Sequence, residues 1–352
     1  MPVLEVRNLE TSFFTQDGEI RAVRGVSFSL EKGETLGIVG ESGSGKSVTV
    51  LSLLRLLGDS AKTQGQVWFH DQDLVKLPKP ALRNIRGRGI SMIFQDPMSS
   101  LNPLLPVGHQ VGEMISTHRR IRRNELYQEV MGLLAEVKIP EPEKRYHAYP
   151  HEFSGGMRQR AMIAMALACK PEIIIADEPT TALDVTIQNQ ILSLLKNIQA
   201  EMGMSIIFIT HDLGVVAELC SRIIVMYGGM ILEEAGAEDL FSRPAHPYTL
   251  GLLNSMPHLG MDKSQKLKPI PGSPPDMSHV PAGCPFSPRC AYVRRICLVK
   301  APGFYTVGNK HRSLCWLHDG QAPKTPDNPF ALNNSVTPGN SVVPALNLAV
   351  TE

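Results

Sequence analysis

Apolar and polar positions alternate along the start of the chain as half-buried strands require. Residues 3–39 read as strands. In Val23-Arg24-Gly25-Val26-Ser27-Phe28-Ser29-Leu30 large apolar groups alternate with small or polar ones over the second half. Thr35-Leu36-Gly37-Ile38-Val39 is a short continuous apolar run, the pattern of a buried strand. It leads into a glycine-rich loop. Beyond Ser47, Val48 to Leu57 is apolar on more than one side and stops at Gly58, which predicts a buried helix closed by glycine. Residues 97–153 are predicted to be mainly helical. Leu126 to Val137 carries apolar groups at helical spacing, and Pro140 ends that run. Two more apolar strands, Glu172 to Ala176 and Ser205 to Thr210, each run into a polar or acidic site, with helical sequence between them. Apolar strands alternating with helices imply an α/β fold with a parallel sheet covered on both faces.

The pattern changes near Arg243. From there to Asp319 the chain is rich in Pro and Cys; from Gly320 it is Pro-, Asn- and Ala-rich with little periodicity, and that tail is expected to be disordered. No internal repeat is visible. A length of 352 residues suggests two or more structural units. A hydrophobic content of 43% and a charged content of 20% are those of a soluble globular protein. The net charge of +1 gives no reason to expect a nucleic-acid partner. The local run Arg119-Arg120-Ile121-Arg122-Arg123 reads as a solvated helix face. No apolar run reaches membrane-spanning length; Ala161 to Cys169 stops at Lys170 and Pro171. Met1 to Arg7 lacks the charged-then-apolar order of a signal peptide, so the expected address is cytosolic, with any membrane role reached by docking to other subunits.

Four places carry chemistry. Gly40-Glu41-Ser42-Gly43-Ser44-Gly45-Lys46-Ser47 fits G-x-x-x-x-G-K-[ST] and lies between a predicted strand and a predicted helix. Glycines let backbone N–H groups curl round phosphate oxygens, and the helix that follows offers its positive end. Lys46 is placed to reach the β- and γ-phosphates, and Ser47 to give a hydroxyl to Mg²⁺. The strand Ile173-Ile174-Ile175-Ala176 ends in Asp177-Glu178. A carboxylate at the tip of a neighbouring parallel strand points into the same crevice. Asp177 is the candidate to hold Mg²⁺ through its water shell, and Glu178 the candidate to orient or deprotonate an attacking water. His211 follows the strand Ile206 to Thr210, where it can touch a γ-phosphate. Ser154-Gly155-Gly156 precedes the strong helix former Ala161 to Ala168 and makes a second anion site. Two phosphate sites mean two ligands, or one ligand shared between copies.

These motifs, with Gln95 and Thr181-Ala182-Leu183-Asp184, stand in the order found in the ATP-binding cassette family. The chain resembles that family over roughly residues 3–240. The resemblance implies a P-loop NTPase (RecA-like) core, an N-terminal antiparallel β-subdomain, an inserted helical subdomain and a Cys-containing extension. It makes residues 1–245 the nucleotide-binding domain, 97–153 its helical subdomain, 246–319 the extension and 320–352 the tail. It names the Walker A loop, the Q-loop (Gln95), the signature (Ser154, Gly155, Gly156), Walker B (Asp177) with its catalytic Glu178, the D-loop (Asp184) and the H-loop (His211). Gln95 would join Ser47 and Asp177 at Mg²⁺. Phe13 would stack on adenine, with Phe14 as its substitute. Such cassettes dimerise head to tail, so that the signature of one caps the ATP of the other. Family signatures often read Leu-Ser-Gly-Gly-Gln; here Phe153 and Met157 replace the first and last, and one side-chain polar contact is lost at Met157.

Cys169 and Cys220 sit in apolar helical surroundings and read as core residues. Cys284, Cys290, Cys297 and Cys315 form a C-x5-C-x6-C-x17-C array. Disulfides conflict with a cytosolic address, and a four-thiolate metal site fits better. The lack of a C-x-x-C knuckle counts against a zinc ribbon, wider spacing suits an iron–sulfur cluster, and four unligated thiols remain open. Arg243 to Thr249, Ile270 to Pro275 and Gly283 to Cys290 look like the C-terminal extension of dipeptide and oligopeptide importer ATPases. That resemblance implies a [4Fe-4S] cluster on the four cysteines; His311 and His318, flanking Cys315, keep a Zn²⁺ site open as the alternative. The expected function is therefore ATP hydrolysis in a peptide importer. The expected partners are a second ATPase subunit, two transmembrane permeases and an extracytoplasmic substrate-binding protein, at the cytoplasmic face of the inner membrane. Nickel-complex uptake is the alternative cargo. A soluble cassette ATPase for DNA repair or translation is the alternative class, as is a redox or metal-sensing regulator.

Overall fold

A computed structural model of the chain describes residues 2–16, 18–181, 183–256, 269–321 and 328–330. The predicted disordered tail lies almost wholly outside the described residues, as does Ala182. The chain opens with β1 (Pro2–Thr15), β2 (Gly18–Glu31), β3 (Thr35–Val39), α1 (Lys46–Leu53), β4 (Ala61–Phe69), β5 (Gln72–Asp73) and α2 (Lys79–Ile85). Then come β6 (Ile90–Ile93), α3 (Pro97–Ser100), α4 (Val107–His118), α5 (Arg123–Glu136), α6 (Pro142–Tyr146) and α7 (Gly155–Leu167). They are followed by β7 (Ile173–Asp177), α8 (Val185–Met202), β8 (Ser205–Thr210), α9 (Leu213–Leu219), β9 (Arg222–Tyr227) and β10 (Met230–Gly236). The C-terminal part adds α10 (Ala237–Ser242), α11 (Pro247–Asn254), α12 (Arg295–Val299), β11 (Tyr305–Gly308) and β12 (His311–Ser313).

Two sheets form. β2-β1-β4-β5 is antiparallel, and the larger sheet runs β11-β12-β10-β9-β3-β8-β7-β6. Its strands from β9 to β6 are parallel, whereas β10, β12 and β11 pair antiparallel at one edge. The sheet is thus mixed rather than purely parallel. The parallel strands are sealed on both faces because successive side chains point to opposite sides. Ile174, Ala176, Ile206 and Phe208 join the cluster that holds α4, α5, α7 and α8. Ile173, Ile175, Ile207 and Ile209 join the cluster with α1 and the antiparallel sheet.

Helix ends differ from the sequence reading. α1 stops at Leu53, a turn before Gly58. Arg55 takes the left-handed conformation, φ 49°, that a glycine usually supplies, and Leu56 N donates back to Leu51 O at 2.9 Å. Arg86 secures this end by donating to Leu54 O (2.9 Å) and Arg55 O (2.8 Å). α5 likewise ends before Pro140, through Lys138 at φ 58°.

The strands β6, β9 and β10 are not evident from the periodicity alone. Nor is the junction of the C-terminal part with the sheet: β12 pairs with β10 through Glu233↔Ser313 and Glu234↔Arg312. Buried Glu233 accepts from Ala245 N (2.6 Å), His246 N (2.9 Å) and His311 Nε2 (2.8 Å). These bonds tie Ala245, His246 and His311 to β10.

Candidate functional site

The register of the parallel strands brings the sequence motifs to one edge. Ile38 pairs with Ile209, which pairs with Asp177. Gly40, Glu178 and His211 therefore follow at the carboxyl ends of adjacent strands, where open α/β sheets bind ligands.

The phosphate loop is shaped by two glycines that no other residue could replace without movement. A Cβ on Gly40 (φ 154°) would lie 2.2 Å from Met226 O, and one on Gly45 (φ 97°) 2.5 Å from Ala22 O. Lys46 folds back over the loop, its Nζ donating to Gly40 O (2.8 Å) and Glu41 O (2.9 Å). Burial lowers the Lys46 pKa; Glu178, Asp177 and Glu41 oppose that effect. Ser47 Oγ donates to Asp177 Oδ1 at 2.9 Å. Burial raises the Asp177 pKa, and the Ser47 bond works against it. A hydroxyl and a carboxylate oxygen in contact form a donor set suited to a hard cation.

Glu178 stands one residue further, at φ 46°, a strained conformation for a non-glycine residue. Its Oε2 accepts from Gln95 Nε2 (3.2 Å) and Thr181 Oγ1 (2.9 Å), and His211 Nδ1 lies 3.4 Å from Oε1. Gln95 arrives on the end of β6. The structure thus brings together Lys46, Ser47, Gln95, Asp177, Glu178 and His211.

Other expected site residues lie apart from this group. Ser154 caps α7, accepting from Met157 N at 3.3 Å, with Gly155 and Gly156 in the first turn. Asp184 caps α8, accepting from Ile187 N at 3.0 Å. Among the described residues no hydrogen bond joins Ser154, Gly155, Gly156 or Asp184 to the phosphate loop. Phe13 lies two residues beyond Thr11, on the same face of β1. Thr11 Oγ1 is 2.8 Å from Ser52 Oγ on α1, so this face looks towards the helix that follows the loop. Phe14 points the other way and is 54% exposed.

The cysteine expectation is corrected. Cys284, Cys290, Cys297 and Cys315 line one apolar pocket with Phe286, Tyr292 and Trp316. However, among the described residues no group of three or more His, Cys, Asp or Glu is arranged to hold a metal ion. Burial pushes the Cys284 thiol up to about 12 and Cys290 to about 11, and raises Cys315 as well. His311 is engaged by Glu233, and His318 Nε2 by Ala245 O at 2.5 Å. Neither the [4Fe-4S] cluster nor the Zn²⁺ site is supported.

Three neighbours of the site escaped the sequence reading. Thr181 lies in the D-loop stretch, but only folding shows its hydroxyl on Glu178. Tyr248 Oη accepts from Glu41 N at 2.9 Å. Arg289 forms a two-pronged pair with the Glu41 carboxylate, at 2.6 and 3.1 Å. A sequence separation of 248 residues leaves no local signal for that pair.

Known proteins match this picture. The family profile described as ABC transporter matches residues 23–181, and that described as oligopeptide/dipeptide transporter, C-terminal region, matches residues 232–297. The chain is 52% identical to the dipeptide transport ATP-binding protein DppD of Bacillus subtilis, over 91% of this chain and 96% of that one. It is 49% identical to the oligopeptide transport ATP-binding protein OppD of Haemophilus influenzae, over 90% and 97%. Among solved structures it resembles the dimeric post-hydrolysis state of the ATP-binding cassette MJ0796 bound to ADP and Pi. That match has a TM-score of 0.61 and 30% identity, covering 66% of this chain and 98% of the other. The fold is that of an ABC cassette, and the protein is an ATPase. With matches of this identity and coverage, the chain belongs to the ABC transporter family of ATP-binding proteins, in the group that carries the oligopeptide/dipeptide transporter C-terminal region.

Proposed function

We propose that the chain is the ATP-hydrolysing subunit of an importer for dipeptides or oligopeptides. Residues 1–245 form the nucleotide-binding domain, with 97–153 as its helical subdomain, and 246–319 form the Cys-containing extension. The observation that carries this reading is the position of Glu178. It sits one residue beyond the Asp177–Ser47 bond and in contact with Gln95, Thr181 and His211. The names of the relatives, which print dipeptide and oligopeptide transport, support the cargo.

The backbone of Gly40, Ser42, Gly43, Ser44 and Gly45 wraps the phosphates, and Lys46 exchanges its two carbonyl partners for β- and γ-phosphate oxygens. Phe13 stacks on adenine. Ser47, Asp177 and Gln95 would hold Mg²⁺ bound with the nucleotide, and the ion would supply positive charge against the phosphates. Glu178 orients the attacking water and takes its proton as the bond between the γ-phosphorus and the bridging oxygen breaks. His211 donates to a γ-phosphate oxygen and stabilises charge on the transferring group. Ser154, Gly155, Gly156 and Asp184 serve the ATP of a second cassette, the first three at a helix start whose positive end suits phosphate. The likeness to a dimeric cassette bound to ADP and Pi supports that division of labour.

The second ATPase subunit, two permeases and an extracytoplasmic binding protein complete the transporter, with this chain held at the cytoplasmic face of the membrane by the permeases. Among the described residues no helix is long and apolar enough to cross a membrane. Pull-down from detergent-solubilised membranes tests the assignment. Permease subunits should co-purify, and Lys46→Ala should abolish peptide uptake. Co-purification with ribosomes or DNA in place of membrane partners would overturn it.

A further inference from the structure

We propose that the C-terminal extension sets the phosphate loop through Arg289, a positioning residue that clasps and neutralises Glu41 and so raises the affinity for ATP. The proposal rests on the ATP-site reading above and adds a device to it.

Arg289 lies in the turn Ser287–Arg289 of the extension, yet its side chain is only 6% exposed. Nη1 and Nη2 meet the two oxygens of Glu41 at 2.6 and 3.1 Å. The remaining donors are also used. Nε donates to Pro271 O (2.9 Å), Nη2 to Ile270 O (3.3 Å) and Nη1 to Tyr227 Oη (3.3 Å). A guanidinium has five N–H donors, so this one is fully committed and fixed in direction.

Glu41 is the second residue of the phosphate loop, and it is held at three points. Its carboxylate meets Arg289, its amide donates to Tyr248 Oη (2.9 Å), and its carbonyl accepts from Lys46 Nζ (2.9 Å). Movement of Glu41 therefore reaches the cation that meets the phosphates. Charge adds a second effect. An unpaired carboxylate in this loop would repel a polyphosphate, and Arg289 cancels it in a place largely closed to water. Two of the three clasping groups belong to the C-terminal part of the chain: Arg289 to the extension and Tyr248 to α11. Tyr227, Tyr248 and Phe286 pack ring to ring beneath them, with centroids 4.6 to 5.4 Å apart. By linkage, nucleotide on the loop must in turn stabilise the seating of the extension.

The test is ATP binding and steady-state hydrolysis by the full chain in its transporter, with Arg289→Met, Arg289→Lys, Glu41→Gln and the pair Arg289→Met/Glu41→Gln. Arg289→Met should raise Kd and KM for ATP about tenfold while lowering kcat far less. The decisive expectation is rescue: removing the orphaned charge should bring the double variant closer to wild type than Arg289→Met alone. If Arg289→Met fails to fold, Arg289→Lys should still raise KM, because one ammonium cannot span both oxygens. Unchanged KM in both Arg289 variants, or a double variant no better than Arg289→Met, would overturn the clasp. Lys46→Ala separates the two readings. Loss of its ATP binding beside unaltered Arg289 variants rejects the clasp alone, whereas normal ATP binding by Lys46→Ala rejects the ATP site itself.

Discussion

His246 and Glu178 show two ways in which single residues here are forced by their surroundings. His246 caps α11, its Nδ1 accepting from Tyr248 N at 3.0 Å. Burial, with His318 beside it, drives the imidazole pKa from 6.5 down to about 3. Below pH 6.5 the unfolded chain takes up a proton that the folded chain refuses. The contribution of this residue is therefore full above pH 6.5 and is lost as pH falls towards 3. His246→Asn keeps a cap acceptor and removes the titration. In thermal melts at a series of pH values, wild type should lose stability on acidification more steeply than the variant; parallel profiles would contradict this. Glu178, at φ 46°, spends backbone strain to turn its carboxylate towards Gln95 and Thr181. The identity of Glu178 was legible, because a strand ending in Asp177-Glu178 stands in fixed order with the phosphate loop. Its left-handed backbone was not, since the φ is imposed by the turn through Thr181 and by the bond from Glu178 N to Ile209 O. Arg289 was legible only as part of a family-like stretch, because its partner lies 248 residues away.

At the scale of elements, apolar periodicity predicted the strands that matter most. β3, β7 and β8 are continuous apolar runs and lie within a residue of their expected bounds. β6, at four residues, is too short to separate from its flanks, although it carries the chain to Gln95. Helix ends were read from Gly58 and Pro140, whereas α1 and α5 end through Arg55 and Lys138 in left-handed conformations. Such ends cannot be seen when the residue is not glycine. Lys138 is exposed, so Lys138→Gly should relieve the left-handed backbone by about 1 kcal/mol. A rise of roughly 2 °C in Tm would be the sign of it; a fall would contradict the cap. The cysteine array shows a limit of another kind. Spacing and resemblance both suggested ligation. Folding does gather the four thiols, but in an apolar pocket without a metal-holding arrangement among the described residues.

At the scale of the whole molecule, the proposed pairing of two cassettes makes the phosphate loop one half of a catalytic site. The starts of α7 and α8 are capped within the chain and make no hydrogen bond to its own loop among the described residues. Isolated chain should therefore bind ATP readily and hydrolyse it poorly, with turnover per chain rising as protein concentration rises. Turnover independent of concentration would mean that one chain suffices.

Steady-state ATP turnover by the assembled transporter, compared between wild type and Glu178→Gln at saturating Mg-ATP, tests the account at its centre. The glutamine should keep contacts to Gln95 and Thr181 but cannot accept a proton from water. ATP binding should stay near wild type while turnover falls about a hundredfold or more. Hydrolysis by Glu178→Gln close to the wild-type rate would contradict the role given to Glu178.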